Sequence, residues 1–300
     1  MSRFPVSALR SVDLGTPDLG RSAEFYQKVW GLDIVEQSGE SIYLRATGAD
    51  HHVLALHASA RAELRSVTFR CDTASDLDRI ARDAAAGGCD ILFGPARHDG
   101  PGGGAMLVLR APEGGVLRFV HGDRSHRDAG HVADRPLRLA HVNLNSQDVD
   151  ATSRFYQSVL GFRLADRSRA MAFVRCNSDH HAVVIAEAPV NSLNHVAFLM
   201  PDLESVMKGS GRMIDNGYPI AWGVGRHGPG DNVFAYFLDP LGFVIEYTAE
   251  VLQVDDGYVA RGPADWVWPP GRTDQWGIAP PKPDHVKAAQ LAIPFAGSWG

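Results

Sequence analysis

The chain repeats itself, and that limits its fold more than any bulk property. Residues 9–31 read LRSVDLGTPDLGRSAEFYQKVWG and residues 137–161 read LRLAHVNLNSQDVDATSRFYQSVLG. Each opens on an alternating strand, passes polar residues, enters a helix carrying Phe-Tyr and stops at Gly. In the second copy Ser146 or Asp148 suits the helix N-cap and Gly161 its end. The match continues in order: ADHHVLAL at 49–56 with SDHHAVVI at 178–185, LRSVTF at 64–69 with LNHVAF at 193–198, and APEGGVLRFV at 111–120 with DPLGFVIEYT at 239–248. Each copy halves again, because Leu64 and Leu193 begin a second strand–helix–strands unit. The helices of those units fall in CDTASDLDRIARDAAAGG and MPDLESVMKGSGRMIDNG. The expected fold is α+β, with two tandem domains of two βαβββ modules each, curled into an open barrel-like sheet with helices outside.

The expected boundaries are 1–125 for a first domain, 136–250 for a second and 251–300 for a C-terminal extension, with the polar stretch GDRSHRDAGHVADRP as linker. The extension holds seven prolines from Pro263 to Pro294 and four tryptophans, Trp266, Trp268, Trp276 and Trp299. Apart from a short helix at His285–Leu291 it lacks periodicity. Exposed Trp is unfavourable in water, so the segment is expected to wrap over the domains.

Composition narrows the function class. With 45% hydrophobic and 21% charged residues, the chain is neither disordered nor fibrous. No apolar run is long enough to cross a bilayer, and MSRFPVSALRSVDLG lacks an apolar signal core. A net charge of −6 gives no reason to expect nucleic acid or an anionic membrane as partner. Cys71, Cys89 and Cys176 form no CxxC pair and suit a reducing cytoplasm. The glycine-rich GPGGGA at 100–105 opens no helix, which favours a flexible loop over a phosphate cradle.

The repeat also serves as an internal control. Setting LRSVD against LRLAH places Asp13 opposite His141. Ser66 then faces His195 and Arg118 faces Glu246. Leu137, Leu139, His141 and Asn143 share one face by alternation, as do His195, Ala197 and Leu199, and Val244, Glu246 and Thr248. A single strand His is most often a hydrogen-bonded core residue, and a single Glu is most often solvated. Three such gains at matched positions of one repeat favour a metal: two imidazoles and one carboxylate on one face, the other positions open.

These residues, together with GRHGPGDNVFAYFLDPLGFVIEYTAE at 225–250, resemble the vicinal oxygen chelate (glyoxalase/bleomycin resistance/dioxygenase) superfamily. Within it the chain resembles the type I extradiol dioxygenases, the catechol 2,3-dioxygenase and dihydroxybiphenyl dioxygenase group. The resemblance spans about residues 8–249. It implies a metal-free first domain and a second domain holding Fe(II), or alternatively Mn(II), on His141, His195 and Glu246. It makes His181 of DHHAVV the proton-handling residue near oxygen. It sets His227 of GRHG and Tyr236, ten residues before Glu246, around the substrate oxygens. Asn143, Phe173 and Asp231 are the implied substrate-binding positions. Some biphenyl-cleaving relatives carry an aspartate three residues after the GRH histidine; here Gly230 stands there and Asp231 comes one later. His181 also has a counterpart, His52, in the first copy, so part of its presence is structural.

The implied activity is ring cleavage of a catecholic small molecule by O2, in a homo-oligomer. Two other readings stay open: a glyoxalase-like isomerase or thiol transferase with another divalent metal, and a metal-free module that sequesters small molecules.

Overall fold

The computed structural model describes residues 4–299. The first repeat supplies β1 (Ala8–Thr16), α1 (Leu19–Glu24), β2 (Asp33–Ser38), β3 (Ser41–Arg45), β4 (Leu54–Ala58), β5 (Glu63–Arg70), α2 (Ala74–Ala86), β6 (Asp90–Arg97), β7 (Ala105–Arg110) and β8 (Val116–His121). Helix α1 runs on as a π-helical turn, Phe25–Trp30. The second repeat supplies β9 (Arg138–Ser146), α3 (Val149–Ser158), β10 (Arg163–Arg167), β11 (Met171–Arg175), β12 (Val183–Glu187), β13 (Ser192–Leu199), α4 (Leu203–Asp215), β14 (Trp222–Arg226), β15 (Val233–Leu238) and β16 (Val244–Ala249). Helix α5 (Asp284–Ala292) and the short β17 (Ile293–Pro294) follow.

The two sheets have one plan: β2-β3-β4-β1-β5-β8-β7-β6 and β10-β11-β12-β9-β13-β16-β15-β14. In each, two βαβββ modules meet at a central antiparallel pair, β1 with β5 or β9 with β13. The last strand of a module lies parallel to its first, as in β9/β12 and β13/β16. Neither sheet closes into a barrel. No helix among the described residues is long and apolar enough to cross a membrane.

Alternation explains which face is which. In β9, Val142 and Leu144 join the apolar core, while His141, Asn143 and Asn145 face the concave side. The core is continuous through both repeats. Trp30 stacks on Tyr247 at 3.7 Å between ring centroids, and the Tyr247 hydroxyl donates to the Trp30 carbonyl at 2.7 Å. Asp148, rather than Ser146, caps α3 by accepting from the Ala151 amide at 2.8 Å.

Two expectations need correction. The strand bounds place Ala8 opposite Arg138, and the helix caps place Asp18 opposite Asp148, an offset of 130 residues. His141 therefore corresponds to Ser11, and Asp13 to Asn143. The match of LRSVD with LRLAH slips by two residues, which keeps every side chain on its face and so leaves no trace in the alternation. The second correction concerns Leu139. A bulge at Ala140 breaks the pairing with β13, so Leu139 turns into the core while His141 keeps the concave face.

Residues 251–299 wrap the second sheet and end on the first. Gln253 and Val254 bind the 176–180 loop, and the Trp222 indole donates to the Pro280 carbonyl at 2.8 Å. Helix α5 packs on β13, β17 pairs with β13, and the Ala296 amide donates to the Leu64 carbonyl at 2.8 Å.

Candidate metal centre

Three strands of the second sheet bring His141, His195 and Glu246 together. His141 Nε2 lies 3.1 Å from His195 Nε2 and 3.3 Å from Glu246 Oε2, and His195 Nε2 lies 3.0 Å from the same oxygen. All three side chains are buried, and a ligand atom of each lies within 4.8 Å of the others. Both carboxylate oxygens of Glu246 are buried with no hydrogen-bond partner. A wholly buried, unbonded carboxylate facing two ring nitrogens is costly by itself and is the donor set a divalent ion needs.

The ionisation states suit that use. Burial pushes the His195 imidazole down to about 4, so its nitrogens stay neutral. Burial alone would raise the Glu246 carboxyl; the facing His141 and His195 rings reverse this and hold it well below the usual carboxylate range. The outer nitrogen of His195 is anchored: Nδ1 lies 2.8 Å from Asn194 Oδ1. Asn194 in turn donates to Asn145 Oδ1 at 2.8 Å and accepts from Gln290 Nε2 of α5 at 2.7 Å. An acceptor at Nδ1 puts the hydrogen there and leaves Nε2 bare for a metal.

The sheet's own symmetry shows what is missing from the ligand set. His141 pairs opposite Ala197 and His195 opposite Asn143, so exchanging β9 with β13 brings one histidine onto the other. Glu246 pairs opposite Ala197; the residue opposite Asn143 on β12 is Val184. A fourth, symmetric ligand would sit at Val184, which is apolar and lines the cavity.

That cavity, of about 530 Å³, opens over the three residues. His181, His227, Tyr236, Asn143 and Phe173 all line it. His227 Nε2 is 3.2 Å from the Tyr236 hydroxyl, which lies 3.5 Å from His195 Nε2. Burial drives His227 down to about 3 and Tyr236 well above its ordinary value, the latter helped by the Glu246 carboxylate. His181 is pushed well below its ordinary value by burial and then by His141 and His180. Asn143 Oδ1 is buried without a partner.

Asp231 is not brought to this group. Its backbone takes a left-handed turn, φ 51°, and its carboxylate accepts from Gln275 Nε2 at 2.7 Å outside the cavity. The sequence reading also missed residues. Asn194 stands next to a ligand, which is a usable signal. Lys282 and Gln290 reach the site from the extension, and nothing in their local sequence marks them. The Lys282 ammonium sits 4.3 Å over the Trp222 ring and donates to Gln290 Oε1 at 2.9 Å.

An open sheet of paired βαβββ modules with a two-histidine, one-glutamate centre in its cup defines a class of mononuclear metal proteins. The family model of the Glyoxalase/Bleomycin resistance protein/Dioxygenase superfamily matches residues 8–119 and 138–247, and the chain belongs to that superfamily. It is 29% identical over 294 residues to metapyrocatechase 2 of Cupriavidus necator, covering 89% of this chain and 87% of the relative. It is 24% identical over 256 residues to the manganese-dependent 2,3-dihydroxybiphenyl 1,2-dioxygenase of Geobacillus genomosp. 3, covering 76% and 80%. Among solved structures, the Mn(II)-bound glyoxalase from Novosphingobium aromaticivorans superposes with a TM-score of 0.88 at 33% identity, covering 94% of each chain.

Proposed function

We propose that the protein is an extradiol dioxygenase that opens a catechol-type ring next to its hydroxyls with O2, at Fe(II) or alternatively Mn(II) held by His141, His195 and Glu246. The observation that carries this is the three-ligand face with Val184 in the fourth position, opening on a cavity lined by His181, His227 and Tyr236. A divalent ion held by His141, His195 and Glu246 would supply Lewis acidity that lowers the pKa of a phenolic hydroxyl, with open positions for the diol and O2.

The chain's own side chains do the rest. Tyr236, kept protonated by burial, donates to a substrate oxygen, and His227 beside it does the same or accepts from it. His181, a neutral imidazole lining the same cavity beside His141, takes up or gives a proton at Nε2. Phe173 and Trp222 hold the ring plane, and Asn143 offers its unpaired amide oxygen to the substrate. The extension adds Trp266 and Trp268 to the lining of the cavity.

The test is anaerobic loading with Fe(II), followed by oxygen uptake and visible absorbance on a panel of catechols. One O2 consumed per coloured ring-opened product is expected, and His195→Ala and Glu246→Gln lose both metal and turnover. A second reading, a metal-dependent isomerase, is favoured by the 33% identity to the Mn(II)-bound glyoxalase. It predicts conversion of a glutathione hemithioacetal without oxygen uptake. Metal binding with that activity, and no uptake on any diol, would replace the first reading.

A further inference from the structure

We propose that Asp166 and His180 are positioning residues that set the tautomer of His181, placing its proton on Nδ1 and aiming a bare Nε2 at the cavity. The proposal rests on the ring-cleavage reading for what His181 does, but not for how it is held. Asp166, on β10, is wholly buried. Its Oδ1 accepts from the Arg261 amide at 2.8 Å and from the Tyr258 hydroxyl at 3.1 Å. Its Oδ2 lies 2.9 Å from His180 Nε2. A carboxylate so bonded only accepts, so the hydrogen is on His180 Nε2.

His180 Nδ1 lies 3.1 Å from His181 Nδ1, and both rings are buried. Two facing lone pairs repel, so one hydrogen lies between them. Since Asp166 holds the His180 hydrogen at Nε2, the hydrogen between the two rings is that of His181 Nδ1. The ring of His181 stands between His141 and Phe173, at centroid distances of 4.5 and 5.5 Å, and lines the cavity.

Two independent observations agree. Gly230 keeps the Nδ1 edge of His181 clear of a side chain, since a Cβ at 230 would lie 2.9 Å from that nitrogen. The first repeat keeps the histidine pair, His51 Nδ1 to His52 Nδ1 at 3.0 Å, without the rest. Its carboxylate counterpart is Glu36, paired opposite Tyr43 as Asp166 is opposite Phe173. Glu36 is 34% exposed in its side chain and 3.6 Å from His51 Nε2. What the metal-bearing copy adds is a buried carboxylate capped by Tyr258 and Arg261 of the extension.

The test combines a spectrum with kinetics. In ¹⁵N-histidine protein loaded with Zn(II), long-range proton–nitrogen correlations are expected to show His181 protonated at Nδ1 and bare at Nε2. Asp166→Asn is expected to shift that proton to Nε2. In the Fe(II) enzyme it should lower kcat at least about tenfold with KM and bound metal unchanged; loss of an orienting carboxylate costs up to about 10⁴-fold elsewhere. Tyr258→Phe, at the edge of the chain of bonds, should do both more weakly and serves if Asp166→Asn does not fold. A wild-type His181 protonated at Nε2, or variants that leave tautomer and kcat unchanged, would overturn the proposal. A Zn(II) spectrum of the expected form with no catechol turned over would instead count against ring cleavage.

Discussion

Asn194→Ala isolates the contribution of the outer hydrogen bond to the metal centre. The asparagine oxygen sits 2.8 Å from His195 Nδ1 and takes a second bond from Gln290 at 2.7 Å, while its nitrogen holds Asn145. Truncation frees the imidazole to place its hydrogen on Nε2, the nitrogen facing Glu246 at 3.0 Å, and that tautomer cannot bind an ion. Losing such an outer partner weakens metal affinity about 10–100-fold. That corresponds to about 1.4–2.7 kcal/mol. The assay is competition with a chromophoric chelator near neutral pH, alongside thermal unfolding of the metal-free protein. Oxygen uptake at saturating metal should recover most of the wild-type rate, because the three ligands remain. Asn194→Asp keeps an acceptor and should bind at least as tightly as the wild type. A Kd for Asn194→Ala within about twofold of the wild type, with folding intact, would refute the argument, since the anchored ring is what it credits with the affinity.

Val184→Glu adds a carboxylate at the position symmetric with Glu246; metal should be held at least as tightly while oxygen uptake falls at least about 100-fold. Retained metal with a normal rate would show that the symmetric position does not reach the ion. Gly230→Ala puts a Cβ 2.7 Å from His181 Cε1 in a backbone of φ +84°, so kcat should drop and unfolding should come a few degrees earlier, for about 1–2 kcal/mol of strain; an unchanged rate would mean that the ring is free to move. Both carboxylate oxygens of Glu113 are buried and unpartnered, and burial raises that carboxyl to about 7. A folded value above the unfolded one means that the bound proton stabilises the wild type at low pH. That stabilisation is lost as pH rises through about 7, up to about 3 kcal/mol. Glu113→Gln does not titrate, so its melting temperature relative to the wild type should climb between about pH 5 and about pH 8, and a constant difference would exclude the effect.

Much of this protein is legible in its sequence, because a repeat states a fold twice and its differences point to a site. Alternation alone puts His141, His195 and Glu246 on concave faces, and local caps and glycines place the helices. Alternation has period two, however, so it could not detect a two-residue slip. The Phe-Tyr-Gln at 25–27 and 155–157, in step with Asp18 and Asp148, carries the true offset. Nor does alternation show a bulge, which is why Leu139 was expected beside His141. Asp231 illustrates a different limit: its place in a left-handed turn, with its carboxylate on Gln275 rather than in the cavity, is a matter of turn geometry and not of spacing. What only the tertiary structure decided is how distant segments meet. Lys282, Gln290, Tyr258 and Arg261 reach the second sheet because the extension runs across that cup, with Trp266 and Trp268 lining its cavity. Each of these polar contacts is a by-product of packing between segments far apart in the chain, and no local pattern encodes it.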